Sequence, residues 1–155
     1  LPADYVLRLA KEKALAALKF HQDKAVLAAD TTVVVGGNIL GKPDNKQTAF
    51  DMLKQLSGTR HEVLTGIAIA KQINRKLMID AEVITTKVTF SMLTDQQIES
   101  YIRTGEPMGK AGAYGIQGKA ALFVQHLEGS YSNVVGLPLA ETGRLLERYG
   151  ILVWS

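Results

Sequence analysis

The stretch EVLTGIAIAKQINRKLMIDAEVITTKVTF, Glu62 to Phe90, decides the fold. It holds two β-prone segments, about Glu62 to Ala70 and Leu77 to Phe90, rich in the Val, Ile and Thr that fit a pleated, half-buried surface. In the second segment the apolar parity changes near Ile84. Side chains alternate between faces along a strand, so that change predicts a bulge or a bend. A sheet dominates the middle of the chain.

Upstream, Tyr5 to Phe20 reads as a helix behind an Asp4 cap, with Val6, Leu9, Ala10, Ala14, Ala17 and Leu18 as its apolar stripe and Lys13 inside that stripe. Ala25 to Ala29 and Thr32 to Val35 read as short strands with Asp30 and Thr31 between them, followed by a Gly36-Gly37 turn and Asn38 to Leu40. Lys46 to Leu56 gives a second helix, ended by Ser57-Gly58. Downstream, Thr94 and Gln97 make a capping box for a helix through Thr104, stopped by Gly105. Gly105, Gly109, Gly112, Gly115 and Gly118 then exclude a regular element and mark a shaped loop. A strand about Leu122 to Leu127, a turn at Glu128-Gly129-Ser130, a helix from Pro138 at its first position to about Tyr149, and a last strand from Ile151 to Trp154 complete the reading.

With 155 residues, 46% hydrophobic content and four prolines, one ordinary domain over residues 1–155 is expected. Cysteine is absent, which removes disulfides, thiol nucleophiles and Cys-type zinc sites. No run reaches the roughly 18 apolar residues of a membrane helix, and Leu1 to Asp4 carry no leader pattern, so a soluble cytoplasmic protein is expected. A net charge of +3 favours a small polyphosphate ligand and falls short of a nucleic-acid-binding stripe.

Asp30 sits where two apolar runs meet, at a strand end beside a cleft, where a carboxylate holds Mg²⁺ or orients a water for attack on phosphorus; the alternative is a plain Asp30-Thr31 turn. Lys13 and Lys42, the latter in Leu40-Gly41-Lys42-Pro43, are candidate phosphate clamps, against the alternatives of a snorkelling lysine and a solvated loop lysine. The glycine-rich loop offers backbone N–H donors, and Gln117 adds an amide that donates and accepts, as a pyrimidine edge requires. The loop is neither a P-loop nor a dinucleotide fingerprint. Arg60 and His61 could bring nitrogen donors to a phosphate, although a lone His at a strand start is more often a surface or satisfied residue.

Six segments together resemble a family, the Maf proteins: Tyr5 to Ala14, Ala29-Asp30-Thr31, Leu40 to Pro43, Leu56 to Val63, Lys110 to Gly118 and Gly129 to Leu139. The Lys110 to Gly118 loop and the Asp30-Thr31 pair look like the branch acting on dTTP and UTP; the branch acting on 7-methyl-GTP tends to have Asp-Gln at that pair. The resemblance implies a nucleoside triphosphate pyrophosphatase that yields the monophosphate and pyrophosphate. It implies Asp30 as catalytic carboxylate and metal ligand, Thr31 and Gln117 as base-selecting residues, Lys13 and Lys42 on the triphosphate, Mg²⁺ or Mn²⁺ as cofactor, and a homodimer. The implied fold is α/β, like that of inosine triphosphatases, with a long bent mixed sheet and flanking helices in two lobes around a nucleotide cleft.

Two departures set up an alternative, a nucleotide-binding or assembly protein of impaired turnover. The family's opening strand and Ser-x-Ser-Pro-Arg-Arg loop are not in this sequence, and Gly109 stands where members usually carry Asp.

Overall fold

The computed structural model describes residues 1–154. Helix α1 (Pro2–Leu18) is followed by strands β1 (Val26–Val35) and β2 (Asn38–Leu40), helix α2 (Lys46–Leu56) and the long strands β3 (Arg60–Ile73) and β4 (Lys76–Phe90). Helix α3 (Asp95–Arg103), strand β5 (Val124–Glu128) and helices α4 (Tyr131–Val135) and α5 (Leu139–Arg148) complete the order. The strands form one sheet, β2-β1-β3-β4-β5, with every ladder antiparallel. The α/β class holds, while the sheet expected to be mixed is antiparallel throughout the described residues. Tight hairpins explain this: β1–β2 and β3–β4 are joined by two-residue turns, which admit only antiparallel neighbours. Asn74 and Arg75 make the second turn with φ of 50° and 64°, the left-handed pair such a hairpin needs.

The β3–β4 register runs unbroken from Arg60↔Thr89 to Ile73↔Lys76, so there is no bulge in that ladder near Ile84. The one irregularity of β4 lies at Thr89/Phe90, against β5. The parity change records instead a change of partner. Ile79, Ala81 and Val83 pack toward α1, whereas Ile84 joins the cluster under α5 and Val88 and Phe90 join the core beneath α2 and α3. Both sheet faces are covered, by different elements at different places along the strand, and the buried side chains fall into four clusters.

The alternation Gly66-Ile67-Ala68-Ile69-Ala70 in β3 follows the same logic. Ile67 and Ile69 fill the α5 side, and Ala68 and Ala70 meet Ala10 and Ala14 of α1. A side chain's first carbon at Gly66 would lie 2.6 Å from the carbonyl carbon of Val6, so glycine there lets α1 rest on the strand backbone. Truncating Ile67, which is fully buried, to alanine costs about 2–5 kcal/mol by the usual cavity penalty.

The capping box at Thr94 and Gln97 is present in both halves. Further expectations are corrected, among them the Asp4 cap, since α1 starts earlier, with Leu1 at its cap and Asp4 in its first turn. Asp30 and Thr31 lie inside one continuous strand, neither at a strand end nor in a turn, because the ladder from Val26↔Ala70 to Val34↔Glu62 overrides their local preference. Ile151 to Trp154 form no strand, since no partner edge reaches them, and Leu152 and Trp154 are exposed. Pro138 is the cap of α5 rather than its first residue, and α4, too short to show a periodicity, precedes it. No helix among the described residues is long and apolar enough to cross a membrane.

Candidate active site

A cleft of about 580 Å³ is lined by Lys13, Asp30, Thr31, Lys42 and Gln117 together. Their routes there differ. Neighbours on a strand point to opposite faces, so Asp30 turns toward α1 and Thr31 toward α4. Asp30 is paired with Gly66 in the ladder, beneath the helix that glycine admits. Its Oδ1 accepts a 2.5 Å hydrogen bond from Lys13 Nζ, which also donates to the Ala29 carbonyl at 3.4 Å. The Asp30 side chain is 15% exposed and that of Lys13 54% exposed, so the pair opens to the cleft from the lysine's side.

On the other face, the Thr31 hydroxyl is 2.8 Å from that of Thr65 and donates to the Gly136 carbonyl at 3.4 Å. Thr65 in turn donates to the Asn133 carbonyl at 3.3 Å. Asn133 is fully buried and binds α4 to the sheet, its Nδ2 donating to the Val63 carbonyl at 3.0 Å and the Ile84 carbonyl at 3.2 Å. The Ser130 hydroxyl caps α4 by accepting the Asn133 N–H at 3.1 Å. Thr31 is thus fixed by a polar network at the floor of the cleft.

Lys42 is exposed in the segment after β2, and the N–H of Gly112 donates to the Gly41 carbonyl at 3.1 Å, tying that segment to the glycine-rich loop. Gln117 is exposed near the end of the loop, just before Gly118. Two further residues of the cleft escape a reading of the sequence. Lys110 donates through Nζ to the Glu106 carbonyl at 2.9 Å, and Glu106 turns its carboxylate under the loop. That carboxylate accepts from the Tyr101 hydroxyl at 2.9 Å and from the backbone N–H of Lys119 at 2.9 Å and Ala120 at 3.4 Å. Desolvation alone would raise its pKa. The Lys119, Tyr101 and Ala120 hydrogen bonds and the Lys110 charge outweigh it and hold the carboxyl below the usual range. The only signal in the sequence is an acidic residue between the helix-ending Gly105 and Pro107.

Arg60 and His61 form no phosphate clamp. Arg60 pairs with Glu128, and His61 is buried, with Nε2 2.7 Å from the Tyr114 hydroxyl and its ring edge-on to Phe90 at 4.9 Å. Burial lowers the His61 pKa to about 4, so the ring is neutral and serves the core behind the loop.

Among the described residues no group of three or more His, Asp or Glu side chains is arranged to hold a metal. The Glu106 carboxylate is engaged by the loop. Asp30 offers one hard carboxylate, a donor set that suits a divalent ion arriving on substrate phosphates and keeping waters, as Mg²⁺ does, rather than an all-protein cage.

The model of the Maf-like protein family matches residues 1–149. The chain is 54% identical to a dTTP/UTP pyrophosphatase of Anaeromyxobacter dehalogenans, over 99% of this chain and 78% of that protein. It is 53% identical to a dTTP/UTP pyrophosphatase of Hahella chejuensis, over 99% of this chain and 76% of that one. A third dTTP/UTP pyrophosphatase, from Halalkalibacterium halodurans, is 52% identical over 95% of this chain and 75% of its own length.

Proposed function

This chain belongs to the Maf-like protein family, and from that premise we propose that it hydrolyses dTTP and UTP to the monophosphate and pyrophosphate, keeping nucleotide pools clean. The observation that carries the proposal is the convergence, in one cleft, of a carboxylate–lysine pair, a second lysine and an amide-bearing glycine-rich loop. The first two suit a triphosphate, and the third suits a pyrimidine edge.

In this reading the triphosphate lies along Lys13 and Lys42, whose ammonium groups offset the charge that builds on the transferring oxygens. A water held near Asp30 attacks the α-phosphorus. Its oxygen ends in the monophosphate, Asp30 receives its proton, and pyrophosphate leaves as the α–β bridge breaks. Lys13, already on Asp30, keeps that carboxylate aimed until the water is in place. Asp30 is the residue that would hold Mg²⁺ or Mn²⁺, and such an ion would neutralise charge on the phosphoryl oxygens. Thr31, pinned to Thr65 and Gly136, and Gln117 face the base and favour a pyrimidine O4/N3–H edge. A cytoplasmic homodimer completes the proposal, carried over from the resemblance to the family.

The test is pyrophosphate release by the full-length protein over a nucleotide panel. The expected result is a preference for dTTP and UTP over purine triphosphates. Equal turnover of GTP and dTTP sinks the substrate assignment, and orthophosphate as the product sinks the reaction.

A further inference from the structure

The loop that carries Gln117 is held from both sides by one pair of side chains. The N–H of Gly115, two residues before Gln117, donates to the Tyr101 hydroxyl at 3.2 Å. The N–H groups of Lys119 and Ala120, just after it, donate to the Glu106 carboxylate at 2.9 and 3.4 Å. Tyr101 donates to that same carboxylate at 2.9 Å, closing the clamp. Space agrees with hydrogen bonding: a first side-chain carbon at Gly118 would collide with the Glu106 carboxyl group, so the loop and the carboxylate are fitted to each other there. Lys110 closes the same turn, donating to the Glu106 carbonyl at 2.9 Å while its chain lies against Gly115. Tyr101 is buried in the core beside Phe123, their ring centroids 5.1 Å apart, so the clamp is anchored to the folded body.

We propose that Glu106, acting with Tyr101, is a positioning residue for base selection, setting where Gln117 meets the nucleobase. The proposal rests on the dTTP/UTP pyrophosphatase reading above and assigns a specificity role to a group outside the reacting phosphates. The chemistry is specific to a carboxylate. Three donors from separate directions converge on two acceptor oxygens, and a carboxamide would turn an NH₂ donor toward at least one of them. A loop released at one end swings Gln117 by the fraction of an ångström that decides whether a bidentate contact forms. Asp30 and Lys13 belong to β1 and α1 and share no hydrogen bond with this clamp, so catalysis and selection separate.

The experiment measures kcat and KM for dTTP and GTP in wild type, Glu106→Gln, Tyr101→Phe, Gln117→Ala and the Glu106→Gln/Gln117→Ala double variant, with melting temperature as the fold control. Glu106→Gln should lower the dTTP-over-GTP ratio of kcat/KM about tenfold, chiefly through KM, with kcat changed by no more than about threefold. Tyr101→Phe should do the same to a lesser degree, and it decides the matter if Glu106→Gln fails to fold. In the Gln117→Ala background, Glu106→Gln should have no further effect on that ratio, because a residue acting through Gln117 has nothing left to position. A purely structural carboxylate would instead lower kcat and stability alike and add to Gln117→Ala. A wild type that prefers dTTP, beside a well-folded Glu106→Gln that keeps the preference within about twofold, overturns the positioning role and leaves the functional reading standing. A wild type with no preference for dTTP overturns both.

Discussion

The two faces of β1 are built differently, though they meet in one cleft. On the face toward α1, Asp30 and Lys13 are set by regular structure alone: a strand in a continuous ladder, a helix resting on Gly66, and one direct ion pair. On the other face, Thr31 and the loop bearing Gln117 are set by side chains that bond to backbone: Asn133 on β3 and β4, Glu106 and Tyr101 on the glycine-rich loop. Regular elements hold a few groups rigidly, as bond breaking requires. A loop pinned by side chains is adjustable in evolution without disturbing the sheet, as substrate choice requires. Turnover and selectivity should therefore respond to different substitutions.

Asp30→Asn breaks the α1 face with the largest expected effect. It keeps size and most hydrogen bonding but removes the negative charge, and a positioned base contributes about 10²–10⁴-fold, so turnover should fall at least about a hundredfold. Calorimetric dTTP binding should change far less, and the melting temperature should report an intact fold. A folded variant keeping more than about a tenth of wild-type turnover would show that Asp30 is no catalytic residue. Gln117→Ala breaks the other face. It should cost about tenfold to a hundredfold in the preference for dTTP over GTP while turnover at saturation stays within a few-fold. If kcat collapses instead, the division between the faces is wrong.

A third prediction sharpens the comparison through pH. His61 is buried neutral behind the glycine-rich loop, with its pKa lowered from 6.5 to about 4, so the unfolded chain takes up a proton more readily than the folded one. This contribution to stability is complete above about pH 6.5 and is lost as pH falls toward 4, by roughly 3 kcal/mol in all. Denaturant unfolding as a function of pH should show this acid limb, and a His61→Phe variant should lack it. Equal acid limbs in the two proteins would place the destabilisation elsewhere.

The smallest effect belongs to Gly109. Its φ is 78°, and a side chain's first carbon there would meet nothing within 4 Å, so an aspartate fits with only the modest strain of that left-handed conformation. Gly109→Asp should raise turnover a few-fold at limiting Mg²⁺, through an added hard oxygen near the phosphates, at a cost of about 1 kcal/mol in stability. A flat response across a metal titration would make the position a turn and nothing more.

The α1 face was the more legible in the sequence. An apolar stripe interrupted by Lys13 and an apolar run interrupted by Asp30 both announce residues that regular structure carries to a surface. That β1 is continuous was not legible, because Asp30-Thr31 looks locally like a turn and only the long ladder with β3 makes it a strand. The face with the glycine-rich loop was legible in its glycines and in Gln117 but not in its clamp, since the partners of Glu106 are backbone amides and a tyrosine from α3 that only the folded chain brings together. The expected strand at Ile151 to Trp154 failed for the complementary reason: β-prone side chains make no strand without an edge to pair with.

The central claim is that the Asp30 side of the cleft directs water to the α-phosphorus. It is tested most directly by letting the full-length protein hydrolyse dTTP in ¹⁸O-labelled water and weighing both products. Label in the thymidine monophosphate and none in the pyrophosphate is the predicted result. Label in the pyrophosphate would put the attack on the β-phosphorus and contradict the account.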